Sequence, residues 1–365
     1  MLKKLIFALM IFALLIVGGV SAQDATPQVT PEGNGGLSTD ATPEVIDGLL
    51  ESPRDATAEA ITEGTAEATA EPTAESTLPP GAYANFPGPG SYTVRQPFPE
   101  GQRSYRVYIP PSYSDTGTPF PLVIVMHGAG GTGANTESYV GFDELADKQN
   151  FIAVYPDGLN NAWNDGRQGD PRVGKVDDVR FLDSAVQFIE KMLHIDANRV
   201  YAAGYSMGGM MAYRLACASP DRFAAVASVA STMPVYLIDL CTGTKPIPVV
   251  VFAGTDDPII PWVGIPSGYL SAAQTIGFWG DHNQCSGDFA VETLPDTVPG
   301  DHTLVMRQQL LKCAADMTLY GVYWGGHTWP GHPIDVPELG QTSQDVDATA
   351  LIWEFFSAHA KVAAK

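Results

Sequence analysis

From residue 105 onward, short apolar runs alternate with longer amphipathic ones. The runs "YRVYIP" (105–110), "PLVIVMHG" (121–128), "FIAVYPDG" (151–158), "RVYAAGYS" (199–206), "FAAVASVAS" (223–231), "IPVVVFAG" (247–254) and "LYGVYW" (319–324) are bounded by Gly, Pro or Asp. Most of the central ones are apolar without a two-residue alternation, as strands buried on both faces of a parallel sheet are. The clearest helical pattern spans 177–194, where Val179, Leu182, Val186, Ile189 and Leu193 step by three and four along one face. This order predicts an α/β fold, with a mostly parallel central sheet and helices on both faces. Ligands of such sheets bind at the carboxyl ends of strands, so the residues just after each strand are the candidates for chemistry.

Upstream the pattern changes. Residues 1–22 read as a signal peptide: Lys3 and Lys4, an apolar run from Leu5 to Val17, then Val20 and Ala22 placed for cleavage before Gln23. An uncleaved anchor is the alternative, and the only membrane contact expected. Residues 23–84 are a ragged Thr-Ala-Glu repeat with Pro and Gly, too poor in apolar surface to offset the entropy of ordering; they predict a disordered acidic stalk. Residues 85–365 then form one large catalytic domain. The chain is expected to be secreted.

Charge narrows the partners. The formal net charge is −21, and the stalk carries twelve acids against one base, so the folded segment keeps −12. That excess of acid disfavours nucleic acid and anionic membrane. The four cysteines, Cys217, Cys241, Cys285 and Cys313, permit three pairings; in an oxidising compartment Cys217–Cys241 and Cys285–Cys313 are favoured, because each closes a local loop.

Three post-strand segments carry candidate chemistry. Gly204-Tyr205-Ser206-Met207-Gly208 fits G-x-S-x-G between a strand and a helical pattern, the setting of a nucleophile elbow that projects Ser206. A serine so placed needs a base later in the chain and an acid between them. His327 follows the 319–324 strand through two glycines and is the candidate base. Asp256 and Asp257 both follow the 247–254 strand, and the residues alone do not choose between them. "MHGAGGTG" (126–133) places backbone N–H groups where, with that of Met207, they can bind an oxyanion; Ala129 is the first candidate for the second donor and Gly130 the next. The same stretch lacks the Lys-Ser or Lys-Thr of a phosphate loop and the spacing of a dinucleotide fingerprint, so no cofactor is expected. No metal is expected either: Pro330 between His327 and His332 forbids the helix on which a histidine pair binds a cation, and no Cys-x-x-Cys is present.

With these residues placed, the chain resembles the secreted esterase family that groups polyhydroxybutyrate depolymerases with feruloyl esterases, of α/β-hydrolase fold. The resemblance covers about 95–360 and rests on "HGAGGTG", "YPDGLNNAWNDG", "VDDVRFLDSAV", "RVYAAGYSMGGMMAYRLAC", "GTDDPIIPW" and "GGHTWPG". It implies Asp257 as the acid and His327 as the base of a serine carboxylic-ester hydrolase, and it places Trp163 near the pocket. Trp329 is expected to pack the base loop or line the site, Trp163 and Trp262 to flank a cinnamoyl ring, and Tyr205 to contact substrate. The expected substrate is a feruloyl-type ester of plant cell-wall polysaccharide. Alternatives are hydrolysis of short hydroxyalkanoate oligomers, acyl transfer with the same three residues, or an inactive binding module on the same fold. Depolymerases of solid polyester usually carry a substrate-binding module that this chain lacks, which favours a soluble or oligomeric ester.

Overall fold

The computed structural model describes residues 86–333 and 336–361. The signal peptide and stalk expected over 1–84 lie outside the described residues. Ten strands form one sheet: β1 (Gly90–Phe98), β2 (Gly101–Ile109), β3 (Phe120–Met126), β4 (Ile152–Pro156), β5 (Ile195–Tyr205), β6 (Ala225–Val229), β7 (Val249–Gly254), β8 (Phe289–Thr293), β9 (Leu304–Leu310) and β10 (Met317–Tyr323). Their order is β1-β2-β4-β3-β5-β6-β7-β10-β9-β8. The six strands from β4 to β10 in that order run parallel, and an antiparallel pair extends each edge.

Every residue of β3, β4, β6 and β7 is buried, as their unalternating apolar composition requires. The helices are α1 (Gly133–Val140), α2 (Phe142–Gln149), α3 (Asp178–Met192), α4 (Met207–Ala218), α5 (Ala272–His282) and α6 (Ala348–Ser357). On one face, Val140, Phe142 and Ala146 of α1 and α2 join Ile352, Trp353 and Phe356 of α6 against Val123, Val125, Tyr201, Ala203, Val250 and Phe252 of the sheet. The buried faces of α3, α4 and α5 cover the other side. The structure therefore has the expected α/β-hydrolase layering.

Two sequence expectations change in detail. Helix α3 turns Phe181 inward together with Leu182, Val186 and Ile189, while Val179 is only half-buried. Its first residue, Asp178, is buried instead, because Arg103 of β2 meets it at 2.5 Å. The antiparallel edge strands β1, β8 and β9 carry no apolar run longer than three residues: β1 holds Arg95, Gln96 and Pro97, β9 turns polar after Met306, and all five residues of β8 are exposed. Among the described residues no helix is long and apolar enough to cross a membrane.

Candidate active site

Strand β5 ends at Tyr205 and α4 begins at Met207, so Ser206 occupies the turn between them. Its backbone is strained, with φ 54° and ψ −119°, a region that non-glycine residues rarely occupy. The turn is over-determined. The Ser206 N–H donates to the Val229 carbonyl at 2.8 Å, and its own carbonyl accepts from Met210 N–H at 3.1 Å. Strand and helix approach so closely that a side chain at Gly204 would collide with the Gly208 backbone, and one at Gly208 with the Met126 and His127 carbonyls. This is why the pattern needs glycine two before and two after the serine.

The imidazole and carboxylate come from neighbouring parallel strands, β10 and β7. His327 Nδ1 lies 2.7 Å from Asp257 Oδ2, and both side chains are buried. The other oxygen of Asp257 accepts the N–H groups of Ile259 and Ile260, each at 2.8 Å, so both carboxylate oxygens are engaged and the pair cannot rotate away. Asp256 is exposed and serves its turn: Thr255 Oγ1 donates to its carboxylate at 3.0 Å, and its N–H donates to the Gly325 carbonyl at 2.9 Å. Glycines bring the two loops together, since a side chain on Gly254 would strike the carbonyls of Gly325 and Gly326. The His327 N–H is tied to the Leu339 carbonyl at 2.6 Å.

After β3, the chain from His127 to Gly131 passes over the elbow, where a Cβ on Gly128 would touch the Tyr205 ring and Ser206 Cβ. Gly130 N–H is used, donating to the Asn161 carbonyl at 2.7 Å, and Gly131 N–H donates to Gly128 at 3.0 Å. Among the described residues, neither Ala129 N–H nor Met207 N–H donates to another backbone group. Of the two sequence candidates, Gly130 is thus occupied and Ala129 is available. His127 itself is buried, with Nδ1 on the Gly128 carbonyl at 2.7 Å and Nε2 on the Gly158 N–H at 2.9 Å. Burial pulls its pKa down to about 4.

The expected aromatic contacts need revision. Trp163 is fully buried; its Nε1–H donates to the His127 carbonyl at 2.9 Å, and its ring lies 4.7 Å from the His127 ring. It supports the loop from behind and offers no face to a ligand. Trp329 is also buried, with Nε1–H on Thr349 Oγ1 at 2.9 Å, which is the packing half of the expectation. Trp262 is half-buried and packs against Gly321 and, at 6.4 Å between rings, Tyr323. Tyr205 donates its hydroxyl to the His327 carbonyl at 2.6 Å, so this half-buried ring braces the base loop.

The ring of His332 lies 3.7 Å from that of Tyr139, tilted by 36°. Among the described residues no group of three metal-ligating side chains forms. Both favoured disulfides are present, Cys217–Cys241 and Cys285–Cys313. The first ties α4, which starts at the serine, to the segment before β7; the second links the end of α5 to the chain beyond β9.

Sequence reasoning missed His127, although it directly follows an apolar strand and precedes the glycines. It also missed Asp165 and Arg167. The "WNDGR" segment that holds them is polar and irregular, and only the fold brings Tyr236 and Met210 against them.

The family described as "Putative esterase" matches residues 98–292. A putative esterase of Nocardia uniformis is 31% identical over 63% of this chain and 71% of its own length. A protein of Aspergillus niger named "Probable feruloyl esterase C" is 29% identical over 70% of this chain and 84% of its own. The feruloyl esterase C of Emericella nidulans is 32% identical over 44% and 57% respectively.

Proposed function

We propose, on the premise that this chain belongs to the esterase family and is a carboxylic-ester hydrolase of α/β-hydrolase fold, that it cleaves feruloyl-type esters through an acyl-enzyme on Ser206. The observation that carries the reading is the buried contact of 2.7 Å between His327 Nδ1 and Asp257 Oδ2, at the same end of the sheet as the strained serine.

In this mechanism His327 Nε2 takes the proton of Ser206 as Oγ adds to the ester carbonyl. Asp257 holds the Nδ1–H tautomer that leaves Nε2 free to accept, and stabilises the imidazolium that results. The carbonyl oxygen becomes an oxyanion, and the N–H groups of Met207 and Ala129 donate to it; a donor aimed at that charge is worth about 10²- to 10³-fold in rate. His327 then gives its proton to the departing alkoxide. Water enters, His327 deprotonates it, and the second tetrahedral intermediate collapses to release the acid and restore Ser206.

The feruloyl preference is supported by the likeness to fungal feruloyl esterases. In the same reading residues 1–22 act as an export signal and 23–84 as an acidic stalk ahead of a domain spanning 85–365; the two disulfides support export. The test is turnover of methyl ferulate against hydroxybutyrate oligomers, with p-nitrophenyl acetate as a reactive control. Ferulate should have the higher kcat/KM of the first two. A higher value for the oligomers overturns the substrate class while leaving the esterase chemistry in place.

A further inference from the structure

Beside α4, one turn beyond the serine, lies a polar cluster that the hydrolytic mechanism does not use. Asp165 is fully buried. It holds Arg167 side-on, with Nε at 2.9 Å from Oδ1 and Nη2 at 2.6 Å from Oδ2, and accepts the Tyr236 hydroxyl at 2.9 Å. Arg167 Nη2 also lies 3.1 Å from Sδ of Met210, whose N–H is bonded to the Ser206 carbonyl. The Tyr269 phenol lies against the same guanidinium.

These side chains come from three loops at the carboxyl ends of β4, β6 and β7, where ligands of such sheets bind. The loops are stitched together. Val235 N–H donates to Gly268 at 3.0 Å and Leu270 N–H to Met233 at 2.9 Å, while Pro234 bridges Tyr269. Arg167, Tyr236 and Tyr269 all remain partly open to solvent.

Their position relative to the reacting carbon follows from the tetrahedral intermediate. Its four substituents are Ser206 Oγ, the oxyanion, the leaving oxygen and the acyl chain. The leaving oxygen must face His327 to receive a proton, and His327 lies with Tyr205 toward the α1 and α6 side. The oxyanion faces Met207 and Ala129 N–H. The remaining direction, for the acyl chain, is toward Met210 and the arginine cluster.

We infer that Arg167, Tyr236 and Tyr269 form a subsite for the hydroxyl and methoxy oxygens of an aromatic acyl group. This deepens the esterase reading above and rests on it. Asp165 cancels the guanidinium charge, so the subsite suits a neutral oxygen acceptor rather than a second carboxylate. Nε and Nη2 are engaged by Asp165 and Met210, and the guanidinium also donates to the Tyr269 oxygen, which leaves the Tyr269 hydroxyl proton as the donor that Arg167 orients, with the two phenol rings as walls.

The test compares kcat/KM for methyl ferulate and methyl cinnamate, which differ in the ring oxygens alone, in the wild type, Arg167→Lys and Tyr269→Phe. Lysine keeps a charge for buried Asp165 and phenylalanine keeps the ring, and a ratio of two substrates is independent of how much enzyme is active. The wild type should favour ferulate, and each variant should lower the ferulate-to-cinnamate ratio about tenfold, the value of one hydrogen bond of moderate strength. An unchanged ratio in both variants overturns the subsite alone. A wild type that turns over p-nitrophenyl acetate but neither aromatic ester overturns the subsite together with the feruloyl reading.

Discussion

His127 donates from Nδ1 to the carbonyl of its own neighbour Gly128 at 2.7 Å, and that bond sets the direction of the Ala129 N–H. Gly158 N–H must donate to Nε2, so the proton of the neutral ring sits on Nδ1. The Gly128 carbonyl and the Ala129 N–H belong to one planar peptide and point opposite ways across it. Holding the carbonyl toward the imidazole and Gly131 N–H turns the Ala129 N–H away from both. His127 thus positions the Ala129 N–H, the proposed oxyanion donor, and Trp163 in turn holds the His127 carbonyl.

Replacing His127 with Ala should therefore lower kcat by about 10²-fold with little change in KM, since the donor matters most once the oxyanion forms. Steady-state kinetics on p-nitrophenyl acetate reads this directly. A loss confined to KM would remove His127 from the role.

The same burial makes the domain acid-sensitive. His127 is neutral when folded, with a pKa near 4 against 6.5 in an unfolded chain. Its contribution to stability is complete above about pH 6.5 and is lost as pH falls toward 4, by roughly 3 kcal/mol if it alone titrates. Thermal midpoints across that window should drop, and His127→Gln should flatten this part of the profile. An equally steep profile in the variant would assign the acid loss elsewhere.

Asp257→Asn should reduce kcat by about 10⁴-fold, because an amide in place of the carboxylate allows the wrong imidazole tautomer to face the serine. Asp256 is exposed and bonds to its own turn, so Asp256→Asn should cost less than tenfold. The paired kinetics decide which aspartate acts, and a larger loss at Asp256 would reverse the assignment.

A fluorophosphonate should label Ser206 stoichiometrically, and Ser206→Ala should abolish both labelling and turnover while leaving the melting temperature within a few degrees. Peptide mapping that finds the label on another serine would sink the nucleophile assignment.

Reduction of the two disulfides should lower stability by about 3 kcal/mol for each loop in the chain-entropy model. Cys217–Cys241 holds α4 to the segment leading into the strand of Asp257. Cys217→Ser with Cys241→Ser should therefore lose activity at a lower temperature than Cys285→Ser with Cys313→Ser, as residual turnover after graded heating would show. The opposite order would dissociate the first bond from the site.

The central strands were legible in the sequence because burial on both faces demands unbroken apolar runs. The elbow was legible because its close approach demands glycines at fixed spacing. Neither demand applies at the edges: β8 is exposed along its whole length and β9 is mostly half-buried, and each carries an apolar stretch of only three residues. The choice between Asp256 and Asp257 depends on which carboxylate the turn points inward, a matter of local geometry that residue type does not encode. Trp163 was misjudged for a related reason. Its position after a strand places it near the site, but whether an aromatic ring faces the ligand or the protein depends on the indole N–H, which here is held by the His127 carbonyl.

Among the described residues, strand β8 ends the sheet with one side of its backbone unpaired, and it presents Phe289 and Val291, 45% and 55% exposed, two residues apart along one face. An open edge with apolar side chains is a template on which a second copy can add a strand. Mutual repulsion between chains of net charge −21 opposes that encounter, and salt screens it. Colloidal behaviour therefore depends on ionic strength: concentrated stocks should stay clear in dilute buffer and turn turbid as salt is raised, and a lysine at Val291 would confer salt tolerance without touching the reaction centre.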